Sequence, residues 1–223
     1  TTGANNVAVG YQALDAETVG SNTVAIGNEA LTAQNFTTAT DVFNVAVGYQ
    51  AGAANTTGKS NTFIGAESGK ATTTGENNVF VGHEAGEANT TGHSHVAIGR
   101  DALTSNTTGI GAVAVGYRAA LVNTANYTVA VGYDVLKANT TGAGNVGVGV
   151  SALESNTTGN YNISVGGNSM ASNTTGAENV AVGYNALDAS STSSYNVAVG
   201  YAALTQMTTG NSNTAVGYGA GDA

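Results

Sequence analysis

Cysteine and proline are absent from this chain of 223 residues, and only 9% of its residues are charged. Without cysteine, neither disulfide bonds nor cysteine-ligated metal ions can hold the fold together. The absence of cysteine is compatible with an extracellular or virion protein, although it does not require one. The charged fraction is far below the roughly 25% of an average soluble domain, whereas glycine is abundant, with 32 residues.

Positive charge and long apolar runs are scarce as well. Five Lys and Arg residues oppose 14 Asp and Glu residues, which gives a net charge of −9 at pH 7. Electrostatic repulsion therefore opposes binding to nucleic acid or to an anionic membrane. No apolar run approaches the roughly 18 residues that a membrane-spanning helix needs. The sequence predicts no nucleic-acid partner and no membrane insertion by this segment.

One glycine recurs at a fixed interval along the whole chain, with ten of the twelve gaps equal to 17 residues and the other two equal to 21 and 16. A period of this length predicts a repeat architecture in which each unit stacks on the next. We therefore expect residues 1–223 to form one continuous repeat segment, and, because neither end carries a distinct cap, a piece of a longer fibrous protein. We call these thirteen residues the marker glycines: Gly10, Gly27, Gly48, Gly65, Gly82, Gly99, Gly116, Gly132, Gly149, Gly166, Gly183, Gly200 and Gly217.

Each marker glycine ends a short run of alternating β-branched residues. Val or Ile directly precedes the glycine in all thirteen units, and Val or Ile also stands three residues before it in eleven units. Such a run predicts a short β-strand with one face buried. The predicted fold is all-β, a parallel β-roll (β-solenoid) of about thirteen 17-residue coils. We expect the Val and Ile side chains to fill the interior of each coil.

The residue between the two branched positions is mostly alanine. A strand face that meets water is normally polar, so we expect this small apolar face to pack against a second copy of the chain. The alternative is that alanine merely tolerates exposure. The predicted interface of the homotrimer consists of Ala8, Ala25, Ala46, Phe63, Phe80, Ala97, Ala114, Ala130, Ala181, Ala198 and Ala215.

A second apolar element follows the glycine. Tyr often comes directly after it, then a mostly polar residue, and then Ala-Leu, whose Leu is expected to fill the interior. We expect poorer core filling in four units, and we expect the two phenylalanines of the alanine face to widen the spacing between chains or to fill a gap. The four units carry glycine in place of that Leu, at Gly52, Gly69, Gly86 and Gly221.

Asparagine recurs at two positions of the unit. It begins the connector Asn-Thr-Thr-Gly, and it stands four residues before most marker glycines. Asn and Gly supply the turn conformations that β-branched residues resist, and stacked Asn side chains can form hydrogen-bonded ladders. We predict two such ladders.

Chemistry-bearing residues are few. His83, His93 and His95 lie close together in the sequence, and we expect them to be surface or ladder substitutions; an ion site near a trimer axis is the alternative. No carboxylate pair recurs with them to supply a third ligand, and no Ser/His/Asp set stands out from the repeat. The sequence therefore predicts no metal site, no cofactor and no enzymatic activity.

The 21-residue gap is the place where we expect ligand binding. It adds four residues near Gln34–Thr37, and insertions in solenoids map to loops on one face, often a binding face. The two phenylalanines there either anchor a ligand or tuck into the roll. The candidate binding residues are Asn35, Phe36, Asp41 and Phe43.

Repeats of the form Asn-Val-Ala-Val-Gly-Tyr-x-Ala-Leu resemble the YadA-like head repeats of trimeric autotransporter adhesins. The 17-residue version with Asn-Thr-Thr-Gly connectors is also similar to repeat regions of phage tail fibres. The resemblance covers the whole chain. It implies a parallel β-roll, three chains packed side by side about a threefold axis, and an extracellular place on a cell surface or virion tail fibre. It also implies attachment to a host-surface glycan or protein receptor.

Three functions of different classes are therefore compatible with the sequence. The first is a trimeric adhesin or tail-fibre segment that binds or supports binding to a surface. The second is a purely structural shaft or filament without its own ligand. The third is ice binding, because stacked Thr pairs form regular hydroxyl arrays, although these pairs lie in Gly turns and not on a flat strand face.

Overall fold

The computed structural model describes residues 2–222. Within this range the chain forms 15 short strands in parallel sheets and no helix, so no helix in it could cross a membrane. The predicted all-β β-solenoid, with coils of about 17 residues, is confirmed. The chain divides into two compact units, Thr1–Gly111 and Ala112–Ala223.

The first unit contains eight strands in two parallel sheets. Neighbours in the larger sheet are one coil apart in the chain, and equivalent residues pair, as in Phe63 with Phe80. The larger sheet consists, in order, of β1 (Val7–Val9), β3 (Val24–Ile26), β5 (Val45–Val47), β6 (Thr62–Ile64), β7 (Val79–Val81) and β8 (Val96–Ile98). The smaller sheet pairs β2 (Gly20–Ser21) with β4 (Thr40–Asp41).

The second unit is more regular. Its seven strands form one parallel sheet in sequence order, and again equivalent residues pair, as in Ala181 with Ala198. The strands are β9 (Val113–Val115), β10 (Val129–Val131), β11 (Val146–Val148), β12 (Ile163–Val165), β13 (Val180–Val182), β14 (Val197–Val199) and β15 (Thr214–Val216).

The marker glycines recur because their backbone conformation and the close approach of the next coil both exclude a side chain. All thirteen have φ between +126° and +141°, a conformation that residues with a Cβ rarely adopt. A Cβ added at Gly48 would lie 2.5 Å from the carbonyl oxygen of Gly65 in the next coil. Any side chain at this position would therefore push two coils apart.

The strands face the opposite way from the sequence prediction. The middle residue of each strand points into the coil, and the Val and Ile on either side of it point outward. Ala8, in the first coil, is exposed, but the other ten predicted interface residues are buried. The reason is volume: the return segment already places Leu in the narrow interior, as with the fully buried Leu153, and only a small residue fits opposite it.

The prediction of poor core filling beside Gly52, Gly69 and Gly86 is wrong. Phe63 and Phe80 point inward, with ring centroids 5.8 Å apart, and occupy the volume that Leu fills elsewhere. A Cβ at Gly52 would lie 2.5 Å from Cδ2 of Phe63, and one at Gly86 would lie 2.6 Å from Cδ2 of Phe80. The two rings therefore cannot act as spacers between chains.

The fourth substituted position, Gly221, lies against Leu204, since its added Cβ would be 2.6 Å from the Leu204 Cδ2 atom. The second unit also contains a compensating pair. Val135 stands where most coils have Ala, and Gly147 replaces the strand Ala one coil later. A Cβ at Gly147 would lie 2.6 Å from Cγ1 of Val135. The interior thus holds a roughly constant volume that different positions can supply.

Both predicted asparagine ladders are present. Four residues before the marker glycine, the backbone N–H donates to Oδ1 of the preceding coil where that coil has Asn, as from Asn162 to Asn145 at 2.8 Å. At the connector, side chains bond to each other: Asn156 Nδ2 donates to Asn139 Oδ1 at 2.7 Å. Since these side chains are buried, the ladders satisfy polar groups that would otherwise be costly to bury.

Candidate functional site

The outer side of the strands is an apolar strip, which we call the Val/Ile face: the first and third residues of each three-residue strand. Most of its side chains are partly exposed, as in β9 and β10, and the most exposed are those of the first and last strands, at 57% for Val9 and 69% for Val216. Monomeric soluble proteins rarely expose large contiguous apolar patches, and those that do use them for interactions. The Val/Ile face is therefore the candidate interaction surface, in place of the alanines.

A tyrosine row follows the Val/Ile face, directly after the marker glycines. The rings of Tyr184 and Tyr201 stack with centroids 5.6 Å apart, and those of Tyr201 and Tyr218 with centroids 5.2 Å apart. Each of these three side chains is about half exposed or more. Tyrosine combines an apolar ring with a polar hydroxyl and is enriched at protein interfaces, so this row extends the candidate surface.

Two residues before the strands, the chain turns a corner at which every coil has a residue with positive φ. Asn, Gly and Ser occupy most of these corners, whereas the second unit has three tyrosines there. Tyr127, Tyr161 and Tyr195 are 57–65% exposed and have φ between +55° and +62°. We call these three residues the corner tyrosines.

Acidic side chains stack on the first unit, two residues after consecutive marker glycines. Nδ1 of His83 and carboxylate oxygens of Glu84 and Asp101 all lie within 4.8 Å of one another. Burial, together with the charges of Glu84 and Glu67, raises the pKa of the neighbouring Glu87 carboxyl. Nitrogen and oxygen donors in this arrangement could hold a divalent cation.

Sequence reasoning missed this group, because it looked for a carboxylate pair recurring with all three histidines. The structure separates them. His95 is buried in the asparagine ladder, where its backbone N–H donates to Asn78 Oδ1 at 3.0 Å. His93 is exposed in a connector. The prediction that they are surface or ladder substitutions is therefore confirmed for these two. The available signal was the identical position of Glu84 and Asp101 in successive coils.

The second unit places opposite charges at the equivalent position. Arg118 donates two hydrogen bonds to the Asp134 carboxylate, one of them from Nε to Oδ1 at 2.8 Å. Lys137 Nζ donates to Glu154 Oε1 at 2.6 Å. Burial acts to raise the pKa of the Asp134 carboxyl, but the Arg118 hydrogen bond and the Lys137 charge outweigh it and hold the pKa below its usual value. The same hydrogen bond raises the pKa of Arg118.

The predicted binding loop is split between interior and surface. Phe36 is buried, at 7% exposure, whereas Asn35, Asp41 and Phe43 are exposed. The buried Glu17 carboxylate holds the start of the loop, because Gln34 Nε2 donates to its Oε2 at 3.1 Å and the Phe36 backbone N–H donates to its Oε1 at 3.4 Å. The alternative in which both phenylalanines act as exposed anchors is therefore wrong for Phe36 and remains open for Phe43.

Comparisons with known proteins identify no relative. No protein-family model, no curated protein and no solved structure matches this chain. The class that the fold defines is a parallel β-solenoid with coils of about 17 residues, and its function has to be argued from its own surfaces.

Proposed function

We propose that the chain is a self-associating repeat segment of a fibrous, extracellular attachment protein on a cell surface or virion tail fibre, and not an enzyme. The YadA-like adhesin heads and tail-fibre repeats that the sequence resembles are such segments. The observation that carries the proposal is the Val/Ile face, which leaves β-branched side chains such as Val9 and Ile163 substantially exposed.

A second copy of the same chain is the partner that fits this face best. The face repeats once per coil along each unit, and only an equally periodic apolar surface can meet it at every coil. Closed point-group symmetry is the rule among homo-oligomers, and the resemblance favours three chains about a threefold axis. Burial of apolar area stabilises such an assembly by about 25 cal/mol per Å².

Charge substitutions on the Val/Ile face test the proposed assembly. Sedimentation of the purified chain should give a trimer, and Ile163→Glu with Val182→Glu should give a smaller species, because two carboxylates would be buried at the interface. Thr141→Glu, at an exposed connector, is the matched control and should leave the trimer unchanged. A folded, monomeric wild-type chain would overturn the proposal.

The shaft without a ligand is the second candidate, and a binding assay separates it from an attachment segment. Binding of the trimer to cells, matrix proteins or glycans supports attachment, and a trimer that binds none of them is a shaft.

Ice binding has less support. The hydroxyl of the first Thr in the connector donates within the protein, as from Thr140 Oγ1 to the Thr157 carbonyl oxygen at 2.9 Å. These hydroxyls are therefore not free to form an array that faces ice. Thermal hysteresis of the purified chain would revive that alternative.

A further inference from the structure

We propose that the corner tyrosines form a binding platform for a neutral, β-1,4-linked polysaccharide. They lie at equivalent corners of alternate coils in the second unit, two repeats apart in sequence. The inference gives a ligand to the attachment function proposed above and rests on it, but it does not depend on how many chains assemble.

The side-chain type, and not the backbone, sets the tyrosines apart. Tyr127, Tyr161 and Tyr195 have φ of +55°, +55° and +62°, and positive φ recurs at this corner in every coil and again on the return segment. Most other corners carry residues that tolerate this conformation, such as Asn77 and Gly144, whereas bulky residues rarely occupy it. Three aromatic rings at alternate corners therefore depart from the residue types that the corner favours.

Backbone hydrogen bonds fix the corner positions of Tyr161 and Tyr195. The Tyr161 N–H donates to the Ala143 carbonyl oxygen at 3.0 Å, and the Tyr195 N–H donates to the Ala177 carbonyl oxygen at 3.1 Å. Because each corner is bonded to the coil before it, the tyrosine backbone cannot shift independently of the solenoid. A rigid aromatic residue offers a large contact area at a low cost in conformational entropy.

The corner before Tyr161 leaves room for its ring, whereas the corner before Tyr195 carries the exposed Glu178. A Cβ at Gly144 would lie 2.6 Å from Cδ1 and 2.8 Å from Cε1 of Tyr161, so this ring packs directly on the glycine backbone of the preceding coil. At 65% exposure the rest of the ring is open to solvent. An aromatic ring that packs on the protein with one part and remains exposed with the rest can stack against the C–H-rich face of a pyranose.

The spacing of the rings selects an extended chain of sugars. Two strand spacings of about 4.8 Å put the corners of alternate coils about 10 Å apart. Two pyranose rings in an extended β-1,4-linked chain cover the same length, so each tyrosine would meet an equivalent sugar ring. An α-1,4-linked chain curls and cannot keep this register.

Polar neighbours and net charge define the ligand further. Asn160 and Ser194 directly precede Tyr161 and Tyr195, and each accepts a backbone hydrogen bond, Asn160 Oδ1 from Ala143 at 2.8 Å and Ser194 Oγ from Ala177 at 3.0 Å. The amide NH₂ of Asn160 is then available as a donor for sugar hydroxyls. A chain with net charge −9 repels polyanionic glycans, so the ligand should be neutral.

The test replaces all three corner tyrosines with asparagine, a residue that this chain already places at equivalent corners. Wild-type protein should sediment with microcrystalline cellulose or chitin and should bind cellohexaose more tightly than maltohexaose. The triple variant Tyr127→Asn, Tyr161→Asn and Tyr195→Asn should bind at least tenfold more weakly, with an unchanged or higher melting temperature. Thr141→Asn, at an exposed connector outside both tyrosine rows, is the control and should keep wild-type binding.

Each other result has a definite meaning. A wild-type trimer that binds neither polysaccharide, or a triple variant that binds as well as wild type, overturns the platform but leaves the proposed assembly intact. A wild-type monomer that binds cellohexaose through the three tyrosines overturns the assembly and supports the platform. Loss of the trimer in the triple variant, without polysaccharide binding by wild type, identifies the row as a subunit contact and also overturns the platform.

Discussion

The coils around Phe63 and Phe80 in the first unit fill their interior in the opposite way from the coils of the second unit. The former combine a large residue on the strand with glycine on the return segment, whereas the latter combine Ala181 or Ala198 with Leu. The comparison shows that the side-chain volume inside each coil is about constant and that no single position needs a particular side chain. Close packing of protein interiors explains this constraint.

The two units also differ in their polar groups. The connector ladder is continuous from Asn123 to Asn173 in the second unit. In the first unit Gln34 and Thr72 interrupt it, and both side-chain polar atoms of Asn55 are buried without a hydrogen-bond partner among the described residues. At the surface, the first unit stacks carboxylates where the second pairs Arg118 with Asp134. The second unit therefore satisfies its polar groups more completely.

The largest effect is expected from exchanging the two ways of filling a coil. Phe63→Ala should lower the free energy of unfolding by about 3–5 kcal/mol, because it leaves a cavity, and Gly69→Leu should lower it by about 1–3 kcal/mol, because Leu overlaps the Phe63 ring. The double variant should recover much of the loss, since it recreates the pattern of the second unit. Urea denaturation at fixed protein concentration measures all three. Strictly additive losses would contradict the rule that each coil keeps a constant interior volume. Phe43→Ala, at an exposed corner, is the control.

A smaller effect is expected from the compensating pair in the second unit. Gly147→Ala should lower the free energy of unfolding by about 1–3 kcal/mol, because the new Cβ meets Val135 Cγ1 at 2.6 Å. Adding Val135→Ala restores the usual pair of alanines and should return the stability to near wild type. Thermal unfolding by circular dichroism follows the series, and a double variant no better than Gly147→Ala would count against the rule.

The ion pair of Arg118 with Asp134 in the second unit should give a small stabilisation at neutral pH. Asp134→Asn removes it. Since the folded state holds the pKa of Asp134 below its usual value, the stabilisation is present above the ordinary carboxyl pKa and is lost as the pH falls through the lower folded value. The melting temperatures of wild type and variant should therefore converge in acid. Glu178→Gln, an exposed corner residue, should show no such convergence.

The smallest effect is expected in the stacked carboxylates of the first unit. Glu84→Gln should raise the free energy of unfolding by a few tenths of a kcal/mol, because like charges facing each other across strands are destabilising. The gain should disappear in about 1 M salt, where the Debye length is about 3 Å. A carboxyl titration by NMR should show the raised pKa of Glu87 returning towards its ordinary value. If Glu84→Gln is less stable than wild type only when a divalent cation is present, the group of His83, Glu84 and Asp101 binds that cation.

Much of the fold could be predicted from the sequence, because a 17-residue coil repeats its own constraints. The period of Gly10 to Gly217, the alternating strands, the Asn-Thr-Thr-Gly connectors and both asparagine ladders all follow from local pattern. The group of His83, Glu84 and Asp101 could not be found in this way, because it joins residues of adjacent coils at positions that carry other side chains elsewhere. The corner tyrosines were equally hidden, because only the structure shows that the corner they occupy is exposed.

The sequence by itself determined that this protein is a stack of parallel coils, because the glycine spacing and β-branched alternation admit few other folds. The tertiary structure decided which face of the strand lies inside. Val9 and Ala25 are both apolar, so alternation identifies two faces without ranking them. The choice depends on how much of the narrow interior the return segment fills, with Leu in most coils and with Gly beside Phe63 and Phe80. That segment begins a few residues after the strand but packs against it only once the coil has closed, so the tertiary structure decides which face is buried.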